Sequence, residues 1–245
     1  MTKEKQAELC QRGDFMYWDM LGSLTGFENN VERGLRWLSG KLFWSYYTES
    51  SDVEDVIIRI TNKEVPERIF FGVCDINSTR IRPFTKTGLF RLETGFSMFH
   101  DLNDVKEVEP CERVEIVRVT DPAQLKMTSM MPLGQCTDIF TYKNYVEMQE
   151  TPGTVFYLAE CDGVPVGTLM AQYGDDFVQI SWVFTKDGYR KRGISGYMIQ
   201  VAEREAVEQG KKYGVLSAGI EGKGSYSRVG YEIISPNVAL FLNGM

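Results

Sequence analysis

The heptapeptide Arg190-Lys191-Arg192-Gly193-Ile194-Ser195-Gly196 sets three cationic side chains and two glycines directly ahead of a helical period. The first turn of a helix carries backbone N–H groups without intrahelical partners and a partial positive charge. Glycine lets such a backbone come close to a ligand, and formal cations strengthen the field. The chemistry suited to this combination is the holding of phosphate groups. A plain strand–helix connection with a solvated basic tripeptide would look the same in isolation. Two nucleotide-binding alternatives fail on pattern. The turn lacks the G-x-x-x-x-G-K-[ST] loop, and it follows an antiparallel run instead of the first strand of a parallel unit. A nucleic-acid reading of Arg-Lys-Arg is opposed by the net charge of −7, because neutralising a nucleic-acid backbone needs a basic face.

The remaining reactive residues narrow the chemistry. With a single histidine, His100, both Ser-His-Asp and Cys-His mechanisms would have to use it, and sites built on several histidines are excluded. His100 follows Phe96-Ser97-Met98-Phe99 with no nucleophile motif nearby, and reads as a partly exposed strand-end residue. Cys10, Cys74, Cys111, Cys136 and Cys161 are odd in number and never form C-x-x-C. That usage fits reduced thiols in the cytoplasm better than disulfides or a metal site. MTKEKQAELCQRGDF has no apolar signal-peptide core, and no apolar run reaches the about 18 residues a membrane span needs.

The elements that must position the turn are legible around it. Val114–Val119 alternates as a strand, and helical stretches follow at Pro122–Met130 and Thr141–Gln149. Val155–Cys161, Val164–Tyr173 and Phe177–Thr185 are apolar runs separated by Asp162-Gly163 and Gly174-Asp175-Asp176, which predicts an antiparallel meander. After the turn, Ile194, Met198, Val201 and Ala202 share one face of a helix and Gln200, Glu203, Arg204 and Glu208 another, and Gly210 stops it. Tyr213–Ala218 is then a strand with a parallel neighbour, because a helix connects it. A short helix near Lys223–Val229 precedes two closing strands, Tyr231–Ile234 and Val238–Leu242. In the first half, Phe27–Trp44 reads as helical stretches, Val56–Ile60 and Ile69–Val73 as strands, Arg82–Leu92 as including a helix, and Gly95-Phe96 as opening a strand. The polar segment Asp101–Arg113, with Pro110, sets a boundary near residue 110. The reading is α/β, with a mixed central sheet in residues 111–245 and a smaller N-terminal α/β domain in residues 1–110.

At this point the residues resemble a family. W-V-F-T-K-D-G-Y-R-K-R-G-I-S-G followed by a helix is similar to the acetyl-CoA-binding motif of the GNAT superfamily, [QR]-x-x-G-x-[GA] after the fourth core strand. Arg190 and Gly193 match it, and Ser195 replaces the usual Gly or Ala. Tyr226-Ser227-Arg228-Val229-Gly230-Tyr231 resembles the family's Y-x-x-x-G-[FY], and Leu216, Ala218 and Gly222 its L-x-A-S-x-x-G, with Gly219 where Ser is usual. The resemblance covers roughly residues 114–242. Leu92-Glu93-Thr94-Gly95-Phe96 more faintly resembles the degenerate first half of tandem GNAT proteins, without the Arg-x-x-Gly turn. A non-GNAT helical cap is the alternative for that half, and no cofactor is expected there.

The resemblance implies a GNAT (acyl-CoA N-acyltransferase) architecture and an N-acetyltransferase using acetyl-CoA, with direct attack by an amine. Backbone groups of Val183, Phe184 and Thr185 would hold the pantetheine arm. Arg190, Lys191, Arg192, Gly193, Ile194, Ser195 and Gly196 would hold the pyrophosphate, and Tyr226 would be the general acid. No metal is implied. Partners are acetyl-CoA and a small-molecule amine, not nucleic acid or membrane, and a homodimer is compatible with the sequence. Longer acyl chains stay open, because the phosphate grip is blind to the acyl group. A non-catalytic acyl-CoA-binding or protein-interaction module stays open too, since the fourth strand offers Gln179 and Ser181 where relatives place a carboxylate. Glu147, Glu160 and Glu221 are unassigned as bases, and Trp44, Tyr46 and Tyr47 are candidates to line a substrate cavity.

Overall fold

The computed structural model describes residues 1–32, 35–40, 44–47, 53–65, 68–71, 81–105, 110–131 and 139–242, with backbone only at 39–40, 44–47, 68–71 and 104. They form two compact units. The first runs from Met1 to Met98 and adds Ser217–Ile220 and the stretch from Ile233 on; the second is Phe99–Leu216 with Glu221–Glu232.

The first unit opens with α1 (Lys3–Ser23), whose N-cap Thr2 side chain accepts from the Lys5 amide. Strands β1 (Phe27–Glu32), β2 (Leu35–Gly40), β3 (Trp44–Tyr47) and β4 (Arg68–Phe71) follow, with α2 (Val53–Thr61) and α3 (Arg82–Lys86) between or after them. β5 (Phe90–Asp101) and β11 (Glu232–Leu242) complete the strand order β1-β2-β3-β4-β11-β5. β3 runs parallel to β4, while β1–β2, β2–β3 and β4–β11 are antiparallel. Leu35, Val56, Ile60, Phe84, Phe90, Val238 and Leu240 pack one core.

The second unit is built on β6 (Val114–Arg118), β7 (Thr154–Cys161), β8 (Val164–Tyr173), β9 (Phe177–Thr185) and β10 (Tyr213–Gly219), in the order β6-β7-β8-β9-β10. β6 to β9 pair antiparallel in succession, and β10 pairs parallel to β9. α4 (Pro122–Ser129) starts on Asp121, which caps two amides ahead of a proline at N1. α5 (Tyr142–Glu150) starts on a Thr141–Asn144 capping box. Both pack on β7. α6 (Ile194–Glu208) buries Ile194, Met198, Ile199, Ala202 and Ala206 and packs on β6 to β9. α7 (Lys223–Arg228) leads into β11.

The meander, the parallel β10 and the helices α3 to α7 agree with the sequence reading. The first half departs from it. Phe27–Trp44 forms β1, β2 and the start of β3, because cross-strand pairing from Phe27↔Gly40 to Glu32↔Leu35 overrides the helix-like spacing of Leu35 and Leu38. Val56–Ile60 lies inside α2: Val53, Val56, Ile57 and Ile60 keep a helical period that the β-branched run conceals. The sequence reading has no counterpart for α1, and β5 begins at Phe90, before Gly95. The two expected closing strands are one, β11, which carries Pro236 in its interior. His100 is not a partly exposed residue: it is 7% exposed and bonded to Glu203.

Candidate functional site

β9 is irregular where the chemistry is expected. Thr168 pairs with Phe184 and Met170 with Ser181, so two residues, Trp182 and Val183, face the single Leu169. This is a β-bulge, and Trp182 takes φ +53° to make it. Left-handed backbone is an outlier for a large side chain and marks stored strain. The Trp182 ring is held by Phe140, Tyr145 and Phe156 at centroid distances of 4.9, 5.7 and 6.4 Å. The parallel ladder between β9 and β10 ends at Ile180↔Leu216, so Ser181–Thr185 extend past it. Val183, Phe184 and Thr185 are half-buried there. The Ser181 and Thr185 hydroxyls are buried and have no protein partner among the described residues. Polar groups are seldom left so without a water or ligand to meet them.

The turn after β9 is braced by its own arginines. Arg190 Nε donates to the Thr185 carbonyl at 3.1 Å and its guanidinium pairs with Asp187 at 3.2 Å. Arg192 donates to the Gly188 carbonyl at 3.1 Å and lies over the Tyr189 ring. The Cys111 thiol donates to the Arg192 carbonyl at 3.4 Å. Lys191 and Gly193 have φ of +64° and +83°, and Gly193 is the N-cap of α6 with no side-chain capping bond. The first intrahelical bond runs from Tyr197 N to Gly193 O. The amides of Ile194, Ser195 and Gly196 therefore begin the helix uncapped, which is the arrangement that takes an anion. The Ile194 side chain is buried, so only its backbone is on offer. Gly196 serves packing: a Cβ there would stand 3.0 Å from Val229 Cγ1.

Tyr226 lies on α7, half-buried, with its ring folded over Gly222, where a Cβ would be 2.9 Å from Tyr226 Cε2. Burial raises its pKa above the ordinary phenol value. Its carbonyl accepts from the Val229 and Tyr231 amides. Gln179 is buried on β9. Glu147 accepts from Asn144 and pairs with Lys143, Glu160 is half-buried on β7, and Glu221 is exposed. The side chains of Trp44, Tyr46 and Tyr47 lie outside the described ones, as do Cys74 and Cys136. Among the described residues no His, Cys, Asp and Glu cluster could hold a metal ion, and no helix is long and apolar enough to cross a membrane.

Sequence reasoning had no access to the bulge at Trp182 or to Asp14, and it set Glu203 on the polar face of α6, where the structure buries it. Asp14 on α1 is buried and bonded to Ser217 at 3.2 Å. Both carboxylates meet partners remote in sequence, so no local pattern announces them.

Residues 125–227 match the model of the acetyltransferase (GNAT) family. No curated protein matches the sequence. Among solved structures, a GCN5-related N-acetyltransferase from Kribbella flavida is 16% identical, with 96% of each chain covered and a TM-score of 0.69. A GCN5-related N-acetyltransferase-like protein from Streptococcus suis is 12% identical over 99% of this chain and 100% of its own, with a TM-score of 0.63. A tandem GNAT protein from the clavulanic acid biosynthesis pathway is 12% identical over 86% of this chain and 79% of its own, with a TM-score of 0.56. At these identities the likeness is one of fold. The chain has the mixed α/β fold of GNAT proteins and carries a domain of the acetyltransferase (GNAT) family over residues 125–227.

Proposed function

We propose that the chain is an acetyl-CoA-dependent N-acetyltransferase that moves an acetyl group to the amine of a small molecule by direct attack. The observation that carries this reading is the succession of a bulged strand end at Ser181–Thr185, which runs past the parallel ladder with β10, and the uncapped first turn of α6. An extended pantetheine arm can use the open backbone edge of Val183, Phe184 and Thr185 as a strand would. The amides from Arg192 to Gly196 suit the pyrophosphate, with Lys191 adding charge and Arg190 and Arg192 holding the turn in shape. Residues 111–245 carry the chemistry in this reading, and residues 1–110 hold no cofactor.

The acceptor nitrogen, neutral when it attacks, forms a bond to the thioester carbonyl carbon. Amides aimed at the carbonyl oxygen stabilise the charge that develops there. The C–S bond then breaks, the sulfur takes a proton from the Tyr226 hydroxyl, the nitrogen loses its surplus proton to water, and the tyrosinate regains a proton from solvent. Burial raises the Tyr226 pKa and so makes the phenol a weaker acid, which leaves its donation dependent on being held against the leaving sulfur. Most of the rate enhancement comes from holding the two reactants together.

CoA tests the first half of this reading. A ligand that binds only the folded state at about 100 times its Kd adds roughly 2.7 kcal/mol of stability. Both CoA and acetyl-CoA should therefore raise the melting temperature, and no shift at millimolar CoA would overturn the assignment. A shift without CoA release from acetyl-CoA across an amine panel would leave a binding module in place of an enzyme.

A further inference from the structure

His100, Glu203 and Tyr231 meet inside the second unit from three separate parts of the chain. His100 ends β5, Glu203 lies in the third turn of α6, and Tyr231 follows α7. His100 Nδ1 stands 2.8 Å from Glu203 Oε1, and Glu203 is fully buried. The rings of His100 and Tyr231 lie 5.3 Å apart. At Gly214 of β10 a Cβ would be 2.6 Å from the Tyr231 hydroxyl and 3.0 Å from Glu203 Oε1, so both oxygens crowd the same glycine. Gly230 has φ +109° and its Cα abuts the His100 ring, where a Cβ would overlap Nε2.

The backbone carries this cluster to the proposed acid. The Tyr231 amide donates to the Tyr226 carbonyl at 3.1 Å, and the Gly230 amide to the Ser227 carbonyl at 3.3 Å. Glu203 sits on the helix whose first turn is the proposed phosphate grip. The cluster thus joins the helix that would hold the acyl donor to the turn that aims Tyr226. Stability alone does not call for it: a buried ionisable pair replaced by apolar residues of similar volume is often as stable or more so. What a ring nitrogen facing a carboxylate adds is a single allowed arrangement of the two.

We propose that His100, Glu203 and Tyr231 are positioning residues that fix Tyr226 of α7 relative to α6. The proposal rests on the acetyltransferase reading for its kinetic consequence, and on geometry alone for its structural one. The test compares wild type with the double variant His100→Leu/Glu203→Leu, which removes the polar pair and keeps the volume. The variant should melt no lower than wild type and keep its KM for acetyl-CoA. Its kcat should fall at least tenfold, within the roughly 100-fold that a misplacement of about an ångström produces. Glu203→Gln, which still offers an acceptor to His100, should restore kcat to within about threefold, since it retains the hydrogen bond. Amide hydrogen exchange gives an arm independent of turnover: the Tyr231 N–H should lose protection in the double variant while Val215 in β10 keeps its own. Should the double variant not fold, Tyr231→Phe carries the same readouts, with kcat lowered and KM unchanged. Unchanged kcat together with unchanged Tyr231 protection overturns the proposal. If wild type turns over no acceptor, the acetyltransferase reading has failed and the exchange arm alone decides the positioning.

Discussion

Asp14 is buried on α1, where among the described residues only Ser217 bonds one of its oxygens, and burial pushes its pKa from 3.8 up to about 7. The folded state therefore holds a proton that the unfolded chain releases above its own lower pKa. Stability from this group is fully present below the unfolded pKa and is lost as pH rises through about 7, with a slope near 1.4 kcal/mol per pH unit at most. Asp14→Asn removes the ionisation, so the variant should gain on wild type between pH 5 and pH 8 in urea melts. A stability difference that stays constant over that range would refute the protonated Asp14. Tyr226 gives the kinetic counterpart. Tyr226→Phe should lower kcat by roughly 100-fold or more, the usual worth of a positioned acid, while KM for acetyl-CoA stays put. Unaltered kcat would remove Tyr226 from the mechanism.

At the level of elements, Gly193 is where conformation and the proposed CoA binding meet. Its φ of +83° starts α6 without a side-chain cap, and an L-residue there costs about 1–2 kcal/mol. Gly193→Ala should lower the melting point by a few degrees and weaken CoA binding more than it weakens folding, as calorimetric titration against thermal melts will show. Equal CoA affinity in the variant would move the phosphate site elsewhere. Much of this region is legible in sequence because its signals are local: a hairpin dipeptide at Asp162-Gly163, a change of period at Ile194, a stop at Gly210. The first half is not, because its elements are decided at long range. β1 and β2 exist through their pairing with each other, and α2 hides its period in a β-branched run. The buried polar pairs are harder still, since His100 and Glu203 are 103 residues apart and Asp14 and Ser217 are 203 apart. The bulge at Trp182 has no sequence signature, being forced by register against β8.

For the molecule as a whole, folding units and functional segments need not share boundaries. Val238 and Leu240, near the end of the chain, belong to the core that holds Leu35, Val56 and Phe84. A fragment of residues 1–110 lacks both and should show no cooperative unfolding transition by circular dichroism; a sharp transition would contradict this account of its core. The net charge of −7 opposes long polyanions, whereas a single pyrophosphate at the start of α6 needs only local amides and cations. The most direct test of acetyl transfer at this site follows the acetyl group itself: acetyl-CoA labelled in the acetyl carbon is incubated with the protein and a panel of small amines, and free thiol and labelled amide are both counted. Thiol and N-acetylated product should appear in equal amounts, dependent on the amine and formed roughly 100-fold or more slowly with Tyr226→Phe. Thiol release without labelled amide, or neither despite a CoA-induced rise in melting temperature, would contradict acetyl transfer at this site.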